Sequence, residues 1–216
     1  MTENSFETQY DITKKTKLRQ FYDSNKIVIY SIISLIVVCV IALNYYLHIE
    51  KKKNVILSEQ YVQGKILLEN GKKNEAKEIF TKVIYSNDST YSTLSFFMVL
   101  NKNLITNNKD LLIMFDHIIK NNKFNSEIKN LLLYKKVLFS SSFAEESKLL
   151  NEIKPLLNKD VLWKPYALLL LGDYFDAKKE FLKAKEFYAK VLELENLEPE
   201  VYNQAKSKLL SIKNEN

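Results

Sequence analysis

Residues 64–84 read GKILLENGKKNEAKEIFTKVI, and residues 172–192, laid over them without a gap, read GDYFDAKKEFLKAKEFYAKVL. Gly64 meets Gly172, Ala76 meets Ala184, and Ala-Lys-Glu recurs in both lines. Phe80 then meets Tyr188, Lys82 meets Lys190, Val83 meets Val191 and Ile84 meets Leu192. An internal repeat of this size marks a supersecondary unit that is stacked rather than folded alone. The spacing has a physical reading as a helix–turn–helix. A glycine lets the first helix approach its partner closely, and an alanine twelve residues on does the same from the second helix. The aromatic residue one turn later fills the wedge towards the next helix.

Outward from these units the helical character persists. Residues 94–100, 111–119, 128–139 and 147–157 are apolar at helical spacing, and Phe115 with Ile118 and Ile119 looks like a second helix of the same kind. Asn-rich corners at 101–108 and 121–125, and the serines at 140–142, separate them. Pro155 ends or kinks its helix, whereas Pro165 is tolerated in the first turn of a helix that Asp160 caps and that holds Trp163 and Tyr166. The last helix, 200–212, puts Val201, Ala205, Leu209 and Ile212 on one face and turns Lys206, Lys208 and Lys213 outward. About eight helices, in roughly three and a half to four hairpins, follow the N-terminal region, each hairpin burying its apolar stripe against the next. The four leucines 168–171 cannot all face one side of a helix, so some of them touch a following helix or a partner.

The N-terminal region is different. Residues 27–47, IVIYSIISLIVVCVIALNYYL, hold no charge over 21 residues. As a helix they span roughly 30 Å, the thickness of a hydrocarbon core. Tyr30 at one end and Tyr45, Tyr46 and His48 at the other suit the interface. The leader is long, no small-residue cleavage site follows the run, and Lys51, Lys52 and Lys53 do, so the segment reads as a retained anchor rather than a signal peptide. The net charge of +6 is concentrated here: residues 14–53 carry eight basic and two acidic side chains, whereas 54–216 carry 24 and 21. Membrane flanks therefore explain the charge better than nucleic acid does. Lys14, Lys15, Lys17, Arg19 and Lys26 outnumber the three lysines after the run, which places the N-terminus in the cytoplasm and the C-terminal domain across the membrane, in a periplasm or its equivalent. The expected organisation is all-α: residues 1–25 a flexible cytoplasmic tail, 26–48 a transmembrane helix, and 49–216 the helical-hairpin domain.

Residue chemistry points away from catalysis. Three glycines cannot build a phosphate loop or a dinucleotide fingerprint, and no nucleophile elbow is present. Cys39 stands alone inside the apolar run, and His48 and His117 are too few and too far apart for a His-based metal site. Glu145 and Glu146 are neighbours on different sides of a helix. Tyr134, Phe139, Tyr174 and Phe181 follow the apolar stripes of helices and read as core. Neither an enzyme nor a cofactor is expected, and nucleic acid is not an expected partner.

The Gly-x11-Ala-x3-aromatic pattern resembles the tetratricopeptide repeat. Gln60 and Leu168 stand where that family has tryptophan, and Asp88 and Asn196 stand at its usual proline site. The whole layout, with Trp163 and Pro165 opening a helix in WKPYALLLLGDYFDAKKEF, resembles the YfgM-like family of ancillary subunits of the bacterial Sec translocon. That resemblance implies a membrane-anchored co-chaperone assisting exported proteins, with translocon subunits, a membrane-anchored chaperone and exported clients as partners and the bilayer met by residues 27–47. The resemblance to tetratricopeptide arrays, whose inner helices line a concave groove, implies a groove lined by Ser58, Tyr61, Lys65 and Leu68 from the first unit and by Tyr166, Leu169, Asp173 and Asp176 from the last. An envelope scaffold for assembly or division, or a receptor on a cytoplasm-facing organelle surface, fits the same layout.

Overall fold

The computed structural model describes residues 17–158 and 161–214. The tail before residue 17, the capping role expected of Asp160 and the orientation of the Lys213 side chain lie outside the described residues. The chain divides into two units, 1–56 and 57–216.

The first unit is built on helix α1, Lys17–Glu69, which continues into the second. Helical geometry lapses only at Asn25, whose side-chain amide donates to the Phe21 carbonyl at 3.0 Å. An 18-residue window of this helix is long and apolar enough to cross a membrane, and none of it is buried within the protein. Asn44 returns its amide to the Val40 carbonyl at 2.9 Å, which satisfies the one strongly polar side chain in the run. Although the sequence pattern puts a boundary at residue 48, the helix continues to Glu69. No glycine or proline occurs between 48 and 63, and the leucine, lysine, glutamate and glutamine found there favour helix.

The second unit consists of four hairpins and a closing helix. The C-terminal turns of α1 pair with α2, Lys73–Ile84; α3, Tyr91–Asn101, leads to α4, Asn108–Asn121. Next come α5, Ser126–Ser140, and α6, Glu146–Ile153, which a 3-10 turn at Lys154–Leu157 extends from Pro155. The last hairpin is α7, Lys164–Ala177, with α8, Phe181–Leu192, and α9, Pro199–Asn214, closes the series. The corners are built by caps. Asn107 accepts from the Lys109 amide at 2.9 Å and Asn125 from that of Ile128 at 2.8 Å. Asp88, at the position where the repeat usually has proline, accepts from Thr90 and Tyr91 at 3.0 and 2.6 Å and so starts α3 without one. Each such cap contributes about 1 kcal/mol.

Two apolar clusters form the core. One gathers Ala76, Phe80, Phe96, Phe115 and Ile118, with the Phe96 and Phe115 rings 4.3 Å apart edge to face. The other surrounds α7, where Leu168, Leu169, Leu170 and Leu171 are all buried. One helix buries four consecutive leucines because it has neighbours on several sides: the 3-10 turn, α8 and α9 all touch it. Val201, Ala205 and Ile212 of α9 are buried as expected, with Leu209 partly covered. Lys208 corrects the sequence reading: it turns in to an ion pair with Asp173 at 2.6 Å.

A candidate partner-binding face

The repeat signature is first a packing device. A methyl group added at Gly64 would lie 2.7 Å from the Phe80 ring, and one at Gly172 only 2.3 Å from that of Tyr188. Each aromatic ring therefore rests on the glycine of its own hairpin, not only in the wedge towards the next helix. Both rings are fully buried. Phe80 asks nothing polar of its surroundings, but Tyr188 brings a hydroxyl into the core. That hydroxyl donates to Asp173 Oδ1 at 2.7 Å, and Lys208 Nζ donates to the same oxygen. Burial, the hydrogen bond to Asp173 and the charge of Asp173 hold the Tyr188 phenol far above its ordinary range. It is therefore a donor at every physiological pH.

The expected groove residues divide by chemistry. In the first hairpin Tyr61 lies against Phe80 and Tyr91, with ring centres 5.9 and 6.2 Å away. Ser58 and Leu68 are half-buried and Lys65 is exposed. In the last hairpin Leu169 is buried in the core, whereas Tyr166, Asp173 and Asp176 are partly exposed. The structure adds two rings to Tyr166. Tyr134 from α5 stacks on Trp163 at 5.6 Å, and Tyr166 meets both at 6.3 and 5.5 Å. Tyr166 donates its hydroxyl to Glu198 at 2.9 Å. That bond, with some burial and the charges of Glu198 and Glu200, raises its phenol above the usual range; burial and the charge of Asp173 do the same for Tyr134.

Tyr134, which reads as core in the sequence, packs against the core while staying partly exposed, and Glu198, just before α9, accepts from Tyr166. Trp163 had a signal, the Trp-x-Pro opening, but its stacking partner lies 29 positions earlier and leaves no local pattern. His117 joins no metal site. Its Nε2 meets Asn87 Oδ1 at 2.9 Å and its Nδ1 meets the Asn121 amide at 3.1 Å, which ties α4 to the corner after α2. Among the described residues no group of three His, Cys, Asp or Glu side chains could hold a metal.

The middle of the array has a different fastening. Lys136 of α5 is buried and donates to Asp116 of α4 at 2.9 Å and to Glu152 of α6 at 3.1 Å. Burial pulls the ammonium down, but the hydrogen bonds and charges of the two carboxylates outweigh it and leave Lys136 above the usual lysine range.

Close Gly–aromatic packing in two hairpins, each followed by a short corner, is the geometry of a known repeat. Residues 60–90 and 165–196 match the tetratricopeptide repeat family. These two hairpins are similar to tetratricopeptide repeats. No curated protein and no solved structure matches the chain. Tetratricopeptide repeats mark a protein–protein interaction module.

Proposed function

We propose that the protein is a membrane-anchored interaction module, an ancillary subunit or co-chaperone at the Sec translocon that assists exported proteins. One observation carries this reading: a single chain joins a wholly unburied apolar segment to tetratricopeptide repeats. Buried inside a soluble domain, that segment would contribute to a core. With none of its window covered, a bilayer is the environment that suits it. Residues 27–47 then span the inner membrane, the N-terminus lies in the cytoplasm, and the basic residues on either side meet headgroups. The repeats act in the periplasm, where newly exported chains emerge. Tyr61, Lys65 and Leu68 present one end of the groove, and Tyr166, Asp173 and Asp176 the other. Leu169 supports the second end from beneath.

The reading is tested by site-specific photo-crosslinking in cells, with the reactive residue at Lys65 and, separately, at Asp176. Translocon subunits or chains in transit, captured from either position, are expected. Capture of division or assembly proteins alone would replace the export role with a scaffold.

A further inference from the structure

We infer that the last hairpin receives a cationic side chain, arginine or lysine, from an extended segment of a protein partner, laid on the Tyr134–Trp163–Tyr166 rings. This deepens the proposed function and rests on its protein-interaction reading.

The three rings pack on one another and each is partly exposed, and cations bind favourably over aromatic faces. Carboxylates surround it in a chain whose overall charge is +6. Lys208 occupies Asp173, with its ammonium also 6.0 Å from the Tyr188 ring centre, so the face already accommodates one cation of its own. Asp176, Glu198 and Glu200 have no ion-pair partner among the described residues. The charges of Glu198 and Glu200 reach the cluster through Tyr166, and Asp176 stands on α7, the helix that carries Tyr166.

Alternative occupants fit less well. A phosphate backbone would meet these carboxylates with like charge. A divalent metal would need three converging ligands, and no such group exists among the described residues. The equivalent place in the first hairpin has the opposite character, with exposed Lys65 where the last has Asp173. An extended partner running along the array would therefore place its basic residues at the C-terminal end.

The test uses the full-length chain in a neutral maltoside detergent and two fluorescein-labelled twelve-residue peptides. One alternates arginine with leucine; in the other, neutral citrulline replaces every arginine. Fluorescence anisotropy should show the arginine peptide binding about tenfold more tightly. The triple variant Asp176→Asn, Glu198→Gln, Glu200→Gln should remove that advantage. Glutamine at 198 keeps an acceptor for Tyr166, and an unaltered thermal transition would show that the variant folds. Equal affinity for the two peptides, or an advantage that survives in the triple variant, overturns the inference. Competition by free spermidine as strong as that by the arginine peptide would also overturn it, because the face would then be reading charge alone. Photo-crosslinking from Asn203 in cells separates this inference from the reading beneath it. Protein crosslinks that persist in the triple variant would sink the cationic-segment assignment and leave the interaction module standing. If no protein is captured even by the parent chain, the interaction module falls too.

Discussion

The first and last hairpins share a backbone plan and differ in almost everything a partner could touch. Gly64 and Gly172 each lie under an aromatic ring, and both hairpins turn through a left-handed residue, Gly71 in one and Lys179 in the other. Lys72 N–H closes on the Leu67 carbonyl and Glu180 N–H on that of Phe175, the same helix-ending bond 108 positions apart. The chemistry diverges at one atom. Phe80 has no hydroxyl, so Lys65 is left free and exposed; Tyr188 has one, so Asp173 stands in the place of that lysine and draws Lys208 in from α9. The repeat signature thus specifies how helices meet, while the charge beside the glycine follows from what the buried aromatic needs.

This contrast can be broken at its packing. Gly172→Ala should destabilise the repeat domain by about 3 kcal/mol, and Gly64→Ala by about 1 kcal/mol, because the tighter of the two contacts must open further. Thermal unfolding of the detergent-solubilised chain, followed by circular dichroism, reads both. In a Tyr188→Ala background the effect of Gly172→Ala should nearly vanish, since the ring it strikes is gone.

A second comparison sets the end hairpins against the middle, where no glycine–aromatic pair exists and Lys136 joins three helices instead. Lys136→Ala should lower stability by about 2 to 3 kcal/mol, because Glu152 is left largely buried without its cation. Lys136 is held above its unfolded pKa. Its contribution is fully present below about pH 10 and is lost as pH rises through the folded value.

The polar half of the contrast is smaller. Tyr188→Phe converts the last hairpin towards the first and should cost about 1 kcal/mol at neutral pH. The variant has a sharper signature in alkali. Above about pH 10 the unfolded chain ionises this phenol while the native state holds the proton. The unfolded state then binds fewer protons and stability falls with rising pH. Tyr188→Phe should make that fall shallower in a pH titration of the melting temperature. The smallest effect is expected at the turn: Lys179→Gly should stabilise by about 0.5 kcal/mol by relieving a left-handed backbone at φ 61°.

Local pattern makes much of this legible in the sequence. The repeat, the Asn corners, the break at Pro155 and the buried face of α9 all follow from residues within one or two turns of each other. The fastenings did not, because Asp116, Lys136 and Glu152 meet across 20 and 16 positions, and Asp173 and Lys208 across 35. A lysine at an outward-looking register gives no local sign that a carboxylate on another helix will claim it. The continuation of α1 past residue 48 has a related reason. A change from apolar to charged residues marks a change of solvent, but it does not interrupt backbone hydrogen bonding where no glycine or proline intervenes.

The account depends most on which side of a membrane the repeats occupy. In a Cys39→Ser background, single cysteines at positions 8 and 214 should be challenged in intact cells with a membrane-impermeant thiol reagent. Labelling at 214 and protection at 8 is the predicted result and places the groove among exported chains. Labelling at 8 with protection at 214 would contradict the account and turn the groove to the cytoplasm.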